Sequence, residues 1–188
     1  MRTRILPVRT GWDPGPADGS FYPDGLPREW RLTYFANQLM GVLIETSGWG
    51  RAAPEALRHW RLDVSPQFRF YLRVGDAGIH ASARESAPAW LGDRFGGWVV
   101  GADATGGAGP LEPSYEWAGS LSAVAASSAR GVACEVPGGL DRDLRAARRW
   151  LDGLAAAAAG RPTLALMGRA RIEEVCRWQS LVQLLGLA

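Results

Sequence analysis

The sequence predicts an α/β fold: a parallel sheet of about six strands with helices packed outside it. Three observations carry this. Short apolar segments of strand length alternate with longer segments of helical periodicity, about six times over. Every connection between those apolar segments is long enough for a crossover helix, which parallel strands require. The 188 residues are 47% hydrophobic and 21% charged, enough to bury one domain's core without disulfide or metal staples. A barrel and a doubly wound sheet both satisfy this order. A complete eightfold barrel takes roughly 250 residues, so a closed barrel of that kind is not expected.

The elements follow in order. Arg4 to Thr10 reads as a short strand, and the Gly/Pro/Asp-rich stretch to Gly25 as a loop. Pro27 opens a helix, where proline is tolerated. Trp30 and Tyr34, then Leu32, Phe35 and Leu39, fall on its buried face, and Gly41 is read as its end. Val42 to Thr46 is a continuous apolar run that ends in polar groups, as a strand covered on both faces does. Pro54 to Leu62 is a helix. Phe68 to Val74 alternates and is a strand. A helix is expected around Ser82 to Arg94 and a strand over Trp98 to Ala102. The glycine- and alanine-rich stretch Gly101 to Pro110 is a loop. Ser114 to Ala129 reads as a helix on the spacing of Trp117, Leu121 and Val124, and Gly131 to Val136 as a strand. Leu140, Leu144, Ala147, Leu151 and Leu154 carry the clearest amphipathic signal in the chain. That helix stops near Gly160, before Pro162. Thr163 to Met167 is the last strand and Ile172 to Leu185 the last helix.

Composition excludes several chemistries. All 21 cationic side chains are arginine, so Schiff-base chemistry, a lysine general base and the usual Walker loop are absent. The Gly101 to Gly109 stretch matches neither phosphate-binding glycine pattern and is read as a flexible loop. Arg142, Arg145 and Arg149 share a helix face with Asp141, Asp143 and Asp152, a salt-bridged surface rather than a phosphate patch. Cys134 and Cys176 sit among apolar residues and read as buried thiols. His59 and His80 are the only histidines, and no Cys or His stands at metal-ligand spacing. No metal and no cofactor is expected. The longest apolar runs fall short of the roughly 20 residues of a spanning helix. No secretory leader is evident, so a cytoplasmic protein is expected. The nine tryptophans are spread one per element or loop and are expected mostly in packing.

Polar residues gather at the predicted strand ends: Arg9 and Thr10, Glu45 and Thr46, Arg73, Asp103, Glu135, Arg169. In parallel α/β folds sites form at that edge. Arg9, Glu45, Arg73 and Glu135 are expected to converge there. Such a rim would bind an anion, or a metal through Glu45 and Glu135.

The N-terminal half resembles the YecE-like family of uncharacterised proteins with a TIM-barrel-like fold. The residues that carry the resemblance are Thr10-Gly11-Trp12 after the first strand, Phe21-Tyr22-Pro23 with Leu26-Pro27, and Tyr34 with Ala36. Val42 and Ile44, Trp60, Pro66, Phe68-Arg69-Phe70 and Glu135 continue it, over roughly residues 4 to 137. The family's second-strand Glu is Leu43 here, its Asn is Glu45, and its third-strand Lys is Arg73. The family's Arg-x-His-Gly and Asn-Asn-Asp segments have no counterpart, which marks the chain as shortened in its C-terminal half. The resemblance implies one TIM-barrel-like but incomplete domain over 1 to 188. Its candidate ligand-binding rim is Arg9, Thr10, Trp12, Tyr22, Glu45, Arg73 and Glu135, with no catalytic residue assigned.

Three functions compete. A shortened barrel that works as a non-catalytic interaction or assembly module comes first. A small-molecule or anion-binding enzyme with its site at the strand C-termini is the alternative. Nucleic-acid processing is weaker, because the formal net charge is only +2 and no histidine cluster is present. An incomplete sheet should leave edges uncovered. Leu181, Val182, Leu184, Leu185 and Leu187 surround the last helix on nearly every side. Both point to a homodimer, unless the helix is buried within one chain.

Overall fold

Side-chain alternation along seven short strands sorts the chain into two apolar layers. The structure, a computed structural model, describes residues 3–15, 21–75, 81–101 and 112–188. The strands are β1 Ile5–Thr10, β2 Gly41–Ile44, β3 Arg69–Val74, β4 Phe95–Val100, β5 Ser114–Ala118, β6 Gly131–Glu135 and β7 Thr163–Leu166. Each pairs in parallel with the next, and β7 pairs with β1, so the sheet closes into a barrel. Around it run α1 Arg31–Gln38, α2 Thr46–Trp49, α3 Pro54–Leu62, α4 Ala81–Leu91, α5 Leu121–Ala126, α6 Leu144–Ala158 and α7 Ile172–Leu184. Val42, Phe70, Leu72, Trp98, Val132 and Ala165 point outward and bury against these helices. Val8, Leu43, Tyr71, Val99, Ala133, Leu164 and Leu166 point inward and fill the barrel.

The fold class is as the sequence predicts, with two differences. Among the described residues the sheet has seven strands and is closed, so it shows none of the strand edges expected from an incomplete barrel. The added strand is β5, which lies in the segment read as one helix from Ser114 to Ala129. Tyr115 and Trp117 alternate with Glu116 and Ala118, a strand pattern rich in aromatics. Gly119 breaks it, and the Ser120 hydroxyl then caps α5 by accepting from the Ala123 N–H at 3.2 Å. The helical spacing of Trp117 with Leu121 and Val124 joins residues of two different elements. Gly41 also departs from its expected role. α1 ends at Gln38, and Gly41 begins β2, where an added Cβ would lie 3.0 Å from the Arg69 carbonyl oxygen.

Two tyrosines fill the lower barrel. The Tyr71 and Tyr115 rings meet edge to face, 5.4 Å between centroids. Glycines make their space. A Cβ at Gly96 would lie 2.7 Å from Tyr71 Cε1, and one at Gly131 would lie 2.9 Å from Tyr115 Cδ1. Gly97, at a register shift opposite β3, has φ of 140° and a Cβ there would press on Tyr115 at 2.9 Å. Burial first, and then the neighbouring Tyr115, push the Tyr71 phenol above its ordinary value.

The outer helices hold by packing and caps. α6 buries Ala147, Leu151, Leu154 and Ala158, and Asp143 caps it by accepting from the Arg145 and Ala146 N–H groups at 2.9 and 3.0 Å. Arg161, just past its end, donates to the Ser127 and Val124 carbonyls at 2.7 Å each and to Ala157 and Ala158 at 3.0 and 2.8 Å. One guanidinium thus satisfies the C-terminal carbonyls of both α5 and α6. α7 buries Ile172, Val175, Trp178 and Val182, and Leu181, Leu185 and Leu187 pack partly against the same core. Of the five apolar residues that suggested an interface, Leu184 alone is largely exposed, at 85%. Val182 is buried, and Leu181, Leu185 and Leu187 are half-buried against this chain's own core. Among the described residues no helix is long and apolar enough to cross a membrane.

Candidate functional site

The inward positions that are apolar at the middle of the barrel turn polar where the strands end. Leu43 is followed two residues on by Glu45, Tyr71 by Arg73, Tyr115 by Trp117 and Ala133 by Glu135. With Thr10 and Arg169 these side chains line a cavity of 440 Å³ at the C-terminal face of the barrel. Leu43, Leu166 and Val136 give it apolar wall. Among the described residues its charged side chains are two glutamates and two arginines, so that part of the lining is electrically balanced.

Arg73 is the most constrained of them. Its Nη1 donates to both Glu45 carboxylate oxygens, at 3.3 and 3.2 Å. Its guanidinium carbon lies 4.2 Å from the centroid of the Trp117 ring, a cation–π contact. The strand end beneath it is pinned as well. The Arg73 carbonyl accepts from the Thr46 hydroxyl and from the buried Trp49 indole, both at 2.9 Å, and the Thr46 hydroxyl accepts from the Gly75 N–H at 3.1 Å. Glu45 and Arg73 are each about one-third exposed, so the pair adds little to stability and instead fixes where the guanidinium stands. Across the cavity, the Glu135 and Arg169 side chains are exposed and make no ion pair among the described residues.

Four of the seven residues expected at the rim, Thr10, Glu45, Arg73 and Glu135, meet in this cavity. The other three lie elsewhere. Arg9 was expected to converge with them, and strand parity turns it away. It pairs with Val42, which faces the helices, whereas Thr10 pairs with the inward Leu43. Arg9 is 1% exposed and donates to the Asp13 carbonyl at 3.3 Å. Trp12 sits edge-on to Trp60 at 5.1 Å, and the Tyr22 hydroxyl donates to the Trp12 carbonyl. Tyr22 also packs against Phe21 and Tyr34 at 4.8 and 5.8 Å. This aromatic cluster packs on the outer layer and ties Trp12 to α3 through Trp60 and Phe21 and Tyr22 to α1 through Tyr34.

Trp117 is the site residue the sequence reading missed, because its segment was read as helix. The alternation of aromatics with Glu116 was the available signal. Asp103, His80 and most of the glycine-rich stretch lie outside the described residues. His59 is exposed on α3, away from the cavity lining. Among the described residues no three His, Cys, Asp or Glu side chains cluster as a metal would need. Cys134 faces the outer core, where burial pushes its thiol up to about 11, and burial raises Cys176 too. Neither is poised as a nucleophile at neutral pH.

The model of a family described as "Protein of unknown function DUF72" matches residues 9–92. That segment holds Thr10, Glu45 and Arg73, and stops short of Trp117, Glu135 and Arg169. No curated protein matches the sequence. Among solved structures, a crystal structure of a DUF72 family protein from Enterococcus faecalis V583 has a TM-score of 0.57 at 11% identity, covering 99% of each chain. A second crystal structure of that protein gives 0.57 at 9% identity, covering 98% of this chain and 96% of that one. The chain is therefore a closed α/β barrel similar in fold to a DUF72 protein along its length, and similar in sequence to that family of unknown function over its first strands and helices.

Proposed function

We propose that the C-terminal mouth of the barrel is a binding site for a small molecule with an acidic group. The observation that carries this is the fixed Arg73, held between the Glu45 carboxylate and the Trp117 ring at the wall of a 440 Å³ cavity. Ligand pockets of that order, roughly 300 to 1,000 Å³, take small molecules in a partly apolar, partly charged wall. Its position at the carboxyl ends of parallel strands is where barrels carry their sites. Arginine is the side chain best suited to meet a carboxylate or phosphate through two parallel donors. The assembly-module reading rested on a site wall lost with the shortened C-terminal half; the cavity counts against it, with Thr10, Glu45 and Arg73 from the first half and Trp117, Glu135 and Arg169 from the second. Nucleic-acid processing gains nothing from a charge-balanced mouth.

A thermal-shift screen against organic acids, amino acids, sugar phosphates and nucleosides tests the reading, run in parallel on the parent protein and on Arg73→Met. The expected result is at least one acid-bearing compound that raises the parent's Tm and leaves the variant's unchanged. Compounds that shift both proteins equally, or none that shifts the parent, would overturn it.

A further inference from the structure

The mouth carries more than a place for an anion, because its charges are not all used in the same way. Glu45 takes only Nη1 of Arg73. Nε and Nη2, the edge whose two N–H groups lie parallel, make no hydrogen bond among the described residues. A carboxylate matches that edge with two near-linear hydrogen bonds. Glu135, on the opposite wall, is an acceptor-only carboxylate with no ion-pair partner among the described residues. A purely anionic ligand would set its charge against Glu135 in a partly desolvated cavity, where like charges repel more than in water. A purely cationic ligand would face Arg73 and Arg169. A ligand with both charges satisfies both walls, and Leu43, Leu166 and Val136 take its apolar part.

We infer that the cavity takes a small molecule carrying both a carboxylate and an ammonium group, the carboxylate on the open edge of Arg73 and the ammonium at Glu135. This rests on the mouth being a binding site and names the class that fits it. Thr10 contributes a hydroxyl that can donate or accept.

Calorimetric titration of the full chain tests it with a matched set of probes. L-Leucine and 6-aminohexanoate carry both charges at different separations. 4-Methylpentanoate carries the carboxylate alone and hexylamine the ammonium alone. Citrate and inorganic phosphate carry more than one negative charge. At least one of the two zwitterions should bind tenfold or more tightly than 4-methylpentanoate and hexylamine. Glu135→Gln should remove that advantage and should not weaken binding of the acid, which then meets no like charge on that wall. Arg73→Lys keeps the charge but loses the two-donor edge, and should weaken zwitterion and acid alike by tenfold or more. Tightest binding by citrate, phosphate or the plain acid, abolished in Arg73→Met, would overturn the zwitterion and leave the binding site standing. Tightest binding by hexylamine, or an advantage that survives Glu135→Gln, would also overturn it. Absence of binding by every probe would remove both the zwitterion and the acid-binding mouth.

Discussion

The two ends of this barrel are built from the same strands and differ by a shift of two residues. At the lower end Tyr71 and Tyr115 interlock in space that Gly96, Gly97 and Gly131 leave open. At the upper end Arg73 and Trp117, the next inward residues on the same two strands, stack at the edge of a cavity. The lower end uses its side chains to exclude water, and the upper end holds charged groups at its surface. Seven strands enclose less interior than eight, so two large rings with glycines opposite them suffice to fill it. The difference teaches that core packing and the placement of exposed charge are separable along a single strand.

That separation can be broken most directly on β3. Tyr71→Ala should destabilise the protein by about 3–5 kcal/mol, as emptying an aromatic-sized space does. Arg73→Ala, two residues along, should change stability by less than about 1 kcal/mol, because the Glu45 pair it loses is partly exposed. Urea denaturation of both variants decides the matter. Equal losses would mean that the mouth is part of the core.

Overpacking probes the same plug from the other side. A Cβ at Gly96 meets Tyr71 Cε1 at 2.7 Å, so Gly96→Ala should cost about 1–3 kcal/mol. Combined with Tyr71→Leu, which withdraws the obstructing ring, the loss should be smaller than the sum of the two single variants. Strict additivity would show that the glycine is not there for the tyrosine.

The third effect appears only in alkali. The Tyr71 phenol is raised by burial, and in the unfolded chain it titrates near pH 10, its ordinary value. With the folded value above the unfolded one, this contribution is complete below about pH 10. It declines as pH rises further, by about 1.4 kcal/mol per pH unit. Tyr71→Phe should flatten that decline, leaving the smaller contribution of Tyr115, which is raised by burial too. Denaturation midpoints measured between pH 8 and 11 in parent and variant read it out. Parallel profiles would show that this phenol does not gain its proton affinity from the fold.

The smallest effect concerns what lies under the mouth. Trp49→Phe keeps a buried aromatic ring, smaller than the indole, and removes one of the two donors to the Arg73 carbonyl. It should cost about 1–2 kcal/mol, from the lost hydrogen bond and the small space left behind, and weaken any ligand that depends on Arg73. A variant as stable and as tightly binding as the parent would show that Thr46 alone holds the strand end.

How much of this was readable beforehand depends on the range of the signal. Pro54 to Leu62 and Ile172 onward were legible as helices because apolar spacing and end residues are local. β5 was hidden because five residues of strand adjoin a helix whose first turn continues the spacing of Trp117 by chance. Glu45, Arg73 and Glu135 were legible as a set because each stands at the end of an apolar run. Arg9 satisfied the same rule and still faces outward, since one step along a strand reverses the face.

Alternation, helical periodicity and the long connections between strands sufficed for the class of fold and for the edge where polar groups collect. These are properties of a few consecutive residues and of chain direction, and they hold whatever the rest of the molecule does. Closure at seven strands, the tyrosine plug and the pairing of Arg73 with Trp117 depend on contacts between residues tens of positions apart. Their cause is the register between neighbouring strands and the width of the barrel interior, which come into being when β7 meets β1.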